Sequence, residues 1–343
     1  MRLHSLVSVI ACGLVALTPI CRGESSWTAK ETFPIGGEGG WDYVTVDASN
    51  HRLFVTRTTH TQVIDTGSGK VIGEIPGQKR SHGVAIVPRL NRGFITDGGD
   101  SGSIIVFDLT NYRVLGQIPA LTDVDGIIYD AKSDLVLAVS GDGGALFAFK
   151  PDLDPGAGTL GPAIPLQGKP EFLAADGLGK VYINLEDKNE VAVVDLASRA
   201  VVARWPVAPG GHPVAMSTDP DTHRLFIGCR NPQMLIVMNT ENGKVESAIP
   251  IGTGVDATAF SDGSVFASCR DGSLVSAQET ADGLKLNQTI KTPEGARTMG
   301  IDPIRHRIYL PTADFETLPS GKPKPKTGTF MILVVERQSS RRE

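Results

Sequence analysis

One pattern returns along this chain at a near-constant step. Short apolar runs open near residues 42, 82, 125, 171, 214, 256 and 297, at spacings of 40, 43, 46, 43, 42 and 41 residues. A repeat of that length made of short strands cannot bury both of its faces alone, so neighbouring copies must stack, and the period is that of a β-propeller blade. The sequence therefore predicts an all-β, seven-bladed β-propeller with four-stranded antiparallel blades.

The first repeat shows how a blade is written. Residues 42–47 (DYVTVD) form a short inner strand, SNHR turns, LFVT at 53–56 returns, QVID at 62–65 is the third strand and KVIGEI at 70–75 the fourth. Inner strands packed on both faces read as nearly continuous apolar runs, as these do. The fourth strand carries an apolar-Pro mark at Ile75-Pro76, Ile118-Pro119, Ile164-Pro165, Trp205-Pro206 and Ile249-Pro250. Proline cannot donate to a ladder, so it belongs on the outermost strand. Another copy, Phe33-Pro34, precedes the first inner strand, while the last repeat ends after its third strand, residues 330–336. The N-terminal segment is thus expected to supply the missing outer strand of the last blade and close the ring.

Residues 1–23 stand apart from the repeats: Arg2 precedes an apolar run from Leu6 to Ile20, too short to span a bilayer but suited to a secretory signal cleaved near Gly23. The expected organisation is a signal peptide (1–23), one propeller domain (24–338) and a charged tail (339–343), placing a monomeric protein in the periplasm or outside the cell with no membrane span. The segment 1–23 holds Arg2 and Arg22 and no acid, so its removal moves the formal charge from −5 to −7. That sign disfavours nucleic acid as a partner and leaves a small molecule or a protein. Cys229 and Cys269, the two cysteines outside the signal, occupy matching GCR and SCR contexts in adjacent repeats; a disulfide and free thiols are both open, and their spacing gives no zinc motif.

The repeats resemble the YncE-like (YVTN-repeat) extracytoplasmic propellers, through LFVTR (53–57) with VIDTGSGK (63–70), LFIGC (225–229) with VMNTENGK (237–244), and VYINL (181–185) with VVDLASR (193–199). The resemblance covers about residues 31–337 and implies the same fold in the wider WD40/YVTN-like group. It implies no single activity, although single-stranded DNA binding has been ascribed to a member. The Trp41-Asp42 pair does not mark a WD repeat, because it opens an inner strand.

Six of the seven repeat starts carry an ionisable side chain: Asp42, His82, Asp125, Glu171, Asp256 and Arg297, with Val214 the gap. Equivalent positions of blades converge on the central channel, so these side chains should ring one mouth. A passive lining would be served by Ser, Thr or Asn, whereas full charges brought together perturb one another and gather at functional sites. The oxygens of Asp42, Asp125, Glu171 and Asp256 are candidate ligands for a divalent cation, the one cofactor the pattern suggests. Loops leaving the second strands share this face and carry Arg57, Asp97, Glu186, Asp187, Arg230, Arg270 and Asp271; Arg230 and Arg270 could pair with ring acids or grip an anionic group. His212 lies two residues before the gap and joins the candidates, with His60 a weaker one. His51, His223 and His306 precede Arg in turns on the opposite face and read as structural. Asp65-Thr66-Gly67 imitates a protease triplet but occurs once, in a hairpin turn. The leading expectation is a ligand-binding protein or interaction scaffold working at the mouth. The alternative is a metal-assisted, lactonase-like hydrolase or lyase, with His82, Glu171 and Arg297 as catalytic candidates. The segment Ala313 to Thr329, rich in Pro, Gly and Lys, is expected to be an irregular basic flap.

Overall fold

The computed structural model describes residues 26–156, 158–280 and 283–338, so the expected signal and charged tail lie outside the described residues. Among these, the chain forms five four-stranded antiparallel sheets, one seven-stranded sheet and a two-stranded ribbon. Pro170–Ala175, Lys180–Leu185, Glu190–Asp195 and Ala200–Pro206 pair in chain order, and so do the four strands from Pro213–Asp219 to Val245–Pro250 and from Val255–Ser261 to Gly283–Lys291. No helix among the described residues is long and apolar enough to cross a membrane.

The seven-stranded sheet departs from the expected breaks. A single 17-residue strand, Val71–Val87, is outermost for Val44–Asp47, Arg52–Thr56 and Thr58–Asp65, then innermost for Arg92–Asp97, Ser103–Asp108 and Val114–Pro119. His60 opposite Pro76 and Thr58 opposite Ser81 carry the pairing past the point where the turn was expected.

Of the two other four-stranded sheets, one pairs Val124–Asp130, Leu135–Ser140, Ala145–Phe149 and Ile164–Pro165 in chain order, and the other is built from both ends of the chain. Trp27–Pro34 pairs antiparallel with Met331–Arg337, which pairs with Arg307–Thr312 and then Gly300–Asp302. Pro34 lies opposite Met331, the first residue of that strand, as Pro119 lies opposite Ser103 and Pro206 opposite Glu190. Trp27 and Phe33 are buried, and Trp27 meets Phe266 of the preceding sheet edge to face at 4.8 Å.

The turns between first and second strands share one backbone device. His51, Asn91, Asp134, His223, Asp262 and His306 all adopt the left-handed conformation, with φ between 51° and 57°. Asn, Asp and His tolerate that region better than other residues bearing a Cβ. This accounts for the three turn histidines without recourse to chemistry. Cys229 and Cys269 are unbridged and buried, and burial pushes both thiols up to about 12.

The segment expected to be irregular instead contains a short ribbon, Phe315–Thr317 against Pro323–Pro325. Proline at both ends of the second strand limits it to three residues. Its base is fixed by Phe315, whose ring lies 6.0 Å from that of Trp41.

Candidate functional site

The innermost strands pack against one another in succession: Val44–Asp47 touches Val71–Val87, which touches Val124–Asp130, then Pro170–Ala175, Pro213–Asp219, Val255–Ser261, Gly300–Asp302 and back to Val44–Asp47. The repeat-start residues therefore meet, and a second set of side chains fixes their backbones. Thr56 donates to the carbonyl of His82 (2.8 Å), Thr96 to that of Asp125 (2.5 Å), Ser268 to that of Arg297 (2.5 Å) and Thr298 to that of Asp42 (2.8 Å). Each hydroxyl belongs to one repeat and each carbonyl to the next.

The mouth has two halves. In the first, His82 Nδ1 donates to Asp42 Oδ2 at 2.6 Å and lies 3.5 Å from Asp125 Oδ1. His82 is only 6% exposed. Burial opposes its charge, but the bond to Asp42 and the fields of Asp125 and Asp42 outweigh that and raise its pKa to about 9. Burial pushes the Asp125 carboxyl upward; His82 pulls against this, while Asp42 and Asp123 add to it. Asp125 Oδ1 and His82 Nε2 are buried without a hydrogen-bond partner. Nε2 faces Gly98, where a Cβ would come within 2.9 Å of it.

In the second half, Asp256 is bracketed by two guanidinium groups: Arg230 Nη2 donates a hydrogen bond to its Oδ1, and Arg297 Nη1 forms an ion pair with its Oδ2. Arg230 Nε also donates to the Val255 carbonyl (3.1 Å), and Arg297 Nη2 to that of Trp41 (3.3 Å). Glu171 lies 4.0 Å from Arg230 and is pushed up to about 8, by burial first and then by Asp125 and Glu186, with Arg230 opposing. His212 reaches this half indirectly, its Nε2 3.1 Å from Glu186, which also bonds Lys169 at 2.9 Å.

Tyr43 belongs to both halves. Its hydroxyl pKa is raised, first by burial and then by Asp125, Asp42 and Glu171, against Arg297. Its ring lies 5.0 Å from Phe172. Below the charges a narrow cavity of ≈ 80 Å³ runs among the inner strands, its walls including Tyr43, Phe172, Ile127, Met216 and Met299. The channel is therefore tight, with apolar side chains over much of its wall, Thr45 and Thr258 beside them, and Asp256 the one charged residue that reaches it.

Several expected members of this face are used elsewhere. Asp97, Asp187 and Asp271 accept backbone N–H groups of Arg80 (2.6 Å), Lys169 (2.6 Å) and Thr253 (2.6 Å), fastening the loops that lead into inner strands. Arg57 is fully buried, donates to the carbonyls of Gly36, Glu38, Gly39 and Gly40 and to Gln62 Oε1, and stacks 3.6 Å from the Phe330 ring. Burial lowers its pKa to about 10. Arg270 is exposed and forms no ion pair among the described residues. His60 sits 4.0 Å from Glu74, away from the mouth.

Sequence reasoning missed the hydroxyl straps and Tyr43. A signal for part of them exists, since Thr56, Thr96 and Ser268 close the matching runs LFVT, GFIT and VFAS in second strands, whereas Thr298 directly follows a repeat start and carries no such mark.

Asp42, His82 and Asp125 each place a ligand atom within 4.8 Å of the others. Two carboxylates and an imidazole suit a transition-metal ion better than calcium. The fit is partial. His82 Nδ1 would have to give up its bond to Asp42, and Nε2 lacks the acceptor that a metal-bound imidazole normally has.

No protein-family model matches this chain, and no curated protein does. Solved structures do. The WD40 repeats of RRP9 align with a TM-score of 0.76 at 10% identity, over 91% of this chain and 100% of that one. Hydrazine synthase of Kuenenia stuttgartiensis gives 0.70 at 14% identity over 88% and 96%. The β-propeller domain of Cps50 (Swd1) from Myceliophteria thermophila gives 0.68 at 12% over 91% and 99%. At these identities the likeness carries fold alone: the chain is an all-β protein of the β-propeller, WD40-like type.

Proposed function

We propose that this protein is a secreted, YncE-like, seven-bladed propeller that binds a small ligand at the mouth ringed by Asp42, His82, Asp125, Glu171, Asp256 and Arg297. The seven-bladed reading divides Val71–Val87 between two blades and treats Trp27–Pro34 as the strand that closes the ring. It is supported by the antiparallel pairing of Trp27–Pro34 with Met331–Arg337. Phe33→Ala should then cost about 3–5 kcal/mol in chemical denaturation, and a loss below 1 kcal/mol would remove the closing role. Secretion draws on the Leu6–Ile20 run after Arg2; N-terminal sequencing of the protein recovered outside the cytoplasm should begin near Glu24.

The observation that carries the binding reading is Asp125 Oδ1, a buried acceptor without a hydrogen-bond partner among crowded acids, with His82 Nδ1 no nearer than 3.5 Å. An unmet acceptor costs about 1–3 kcal/mol, which a bound donor would recover. A thermal-shift screen of small acids, amines, sugars and metal ions should give hits with the wild type that disappear in Asp125→Ala/Glu171→Ala, with circular dichroism unchanged. An identical hit profile in both proteins would discard the mouth as a site.

The convergence of Asp42, His82 and Asp125 favours a second reading, a metal-assisted hydrolase or lyase with His82, Glu171 and Arg297 as the reactive candidates. Lactone turnover that is abolished by chelator and restored by Zn²⁺ or Mn²⁺ would establish it, and turnover at the rate of buffer would dismiss it.

A further inference from the structure

We propose that the ligand of this mouth is a small amphiphilic amine, its ammonium group held by Asp125 and Glu171 over the Tyr43 ring and its short apolar tail lowered into the channel beneath. This rests on the mouth being a binding site and names the class of molecule it takes.

The channel sets the shape. Directly under the rim, Tyr43 and Phe172 pair at 5.0 Å and lead into a cavity walled by Ile127, Met216 and Met299. The aromatic, Ile and Met walls favour a ligand with an apolar end, and Thr45 and Thr258 are the neutral polar side chains that line the cavity. The rim sets the charge. The arginine half has its charge balanced, because Arg230 and Arg297 both form ion pairs with Asp256. An incoming anion would have to displace a carboxylate already held from two sides. The acidic half is not saturated: Asp125 Oδ1 is buried without a hydrogen-bond donor, its nearest cation being His82 at 3.5 Å, and Glu171, where the two halves meet, has one cation at 4.0 Å, Arg230, and otherwise shares a hydrogen bond with the carboxyl of Glu186. Glu171 held up to about 8 belongs to a site short of positive charge.

An organic ammonium meets these conditions better than a metal ion. It brings N–H donors in several directions, as the side chain of lysine does, and can reach Asp125 and Glu171 while the His82–Asp42 bond stays intact. A metal ion at the same place would have to break that bond. A cation lying against Tyr43 also gains from the electron-rich face of the ring, by about 0.5–2 kcal/mol.

The test uses the full chain at neutral pH with n-butylamine, and with n-butanol and butyrate as the neutral and anionic analogues of the same tail. Calorimetry or saturation-transfer NMR should show one butylamine bound with Kd of about 1 mM or tighter, at least tenfold stronger than either analogue. Asp125→Asn should weaken it about tenfold and Tyr43→Leu several-fold. Asp65→Asn, in a hairpin turn remote from the rim, should leave it unchanged. Two variants keep the result readable if one of them folds poorly. Equal binding of butanol, preference for butyrate, or no binding of butylamine overturns the amine. Zn²⁺ that binds the wild type and fails to bind His82→Ala, with no amine bound, overturns the amine while leaving the mouth a site. If neither probe binds and Asp125→Ala/Glu171→Ala matches the wild type throughout the screen, the mouth reading falls with it.

Discussion

The two halves of the mouth hold similar charges in opposite ways. Around Asp256, two guanidinium groups flank one carboxylate, and each arginine also bonds a backbone carbonyl. Around His82, two carboxylates flank one imidazole, and only one of them is within hydrogen-bonding distance. Arginine stays charged at any working pH and offers five donors, so its half is complete without help. Histidine offers two donors at most, and one of its nitrogens faces Gly98 instead of an acceptor. The half around His82 therefore remains electrostatically open. The lesson is that a ring of acids is informative less through its total charge than through which members already have partners.

The largest expected effect breaks the complete half. Asp256→Ala leaves two guanidinium groups facing each other without their shared anion, and removing one partner of a largely buried ion pair is strongly destabilising. Both arginines are partly exposed, so the expected loss is about 2–4 kcal/mol, read from urea denaturation. Asp125→Ala removes an acceptor that lacks a hydrogen-bond donor but lies 3.5 Å from His82 and helps to charge it, and should cost less, about 1 kcal/mol. If the two variants lose equal stability, the contrast between the halves is wrong.

A smaller effect probes the open half through pH. The His82 pKa is raised in the folded state to about 9 from an ordinary 6.5, so its contribution is fully present below 6.5 and is lost as pH rises through 9. Glu171, pushed up to about 8, acts in the opposite sense: ionising it in the fold is unfavourable, and that penalty grows from its ordinary range up to 8. Both groups make the wild type lose stability on going from neutral pH to 9. Asp42→Asn removes the main partner of His82, so the decline between pH 6.5 and 9 should flatten by about 1–3 kcal/mol. Parallel pH profiles for the two proteins would show that Asp42 does not hold the proton on His82.

Much of this arrangement is legible in the sequence, and the gaps have physical causes. The 40-residue step and the apolar-Pro marks locate the strands, because they report backbone requirements that each repeat must meet alone. The turn histidines are legible for the same reason, since the left-handed residue is needed wherever the chain reverses. The partners of the charges are not, because Asp42 meets His82, and Arg230 meets Asp256, only when separate repeats are packed together. Arg57 was misplaced on the open face because an arginine beside a loop looks exposed, whereas four carbonyls of residues 36–40 and the Phe330 ring enclose it. The uninterrupted strand Val71–Val87 escaped because Pro76-Gly77 reads as a turn, while pairing with Thr58 and His60 keeps it extended.

The smallest effect asks what the hydroxyl straps do for the open half. Thr96 donates to the carbonyl of Asp125 at 2.5 Å and to that of Gly83 at 3.4 Å, and it accepts the Gly83 N–H at 2.8 Å. It is fully buried, so Thr96→Val keeps the shape and leaves three backbone groups with one partner fewer. Loss of such bonds typically costs about 1–2 kcal/mol. Ser268 makes the matching contact to the Arg297 carbonyl, so Ser268→Ala should cost a similar amount. The two should part in the imidazole signals of His82, followed by NMR titration. Releasing the Asp125 backbone alters the distance of its carboxylate from His82 and moves the midpoint, whereas releasing Arg297 leaves Asp42 and Asp125 in place. Equal midpoints in Thr96→Val, Ser268→Ala and the wild type would mean that the straps serve stability alone, and that the geometry of the open half is set by its charges.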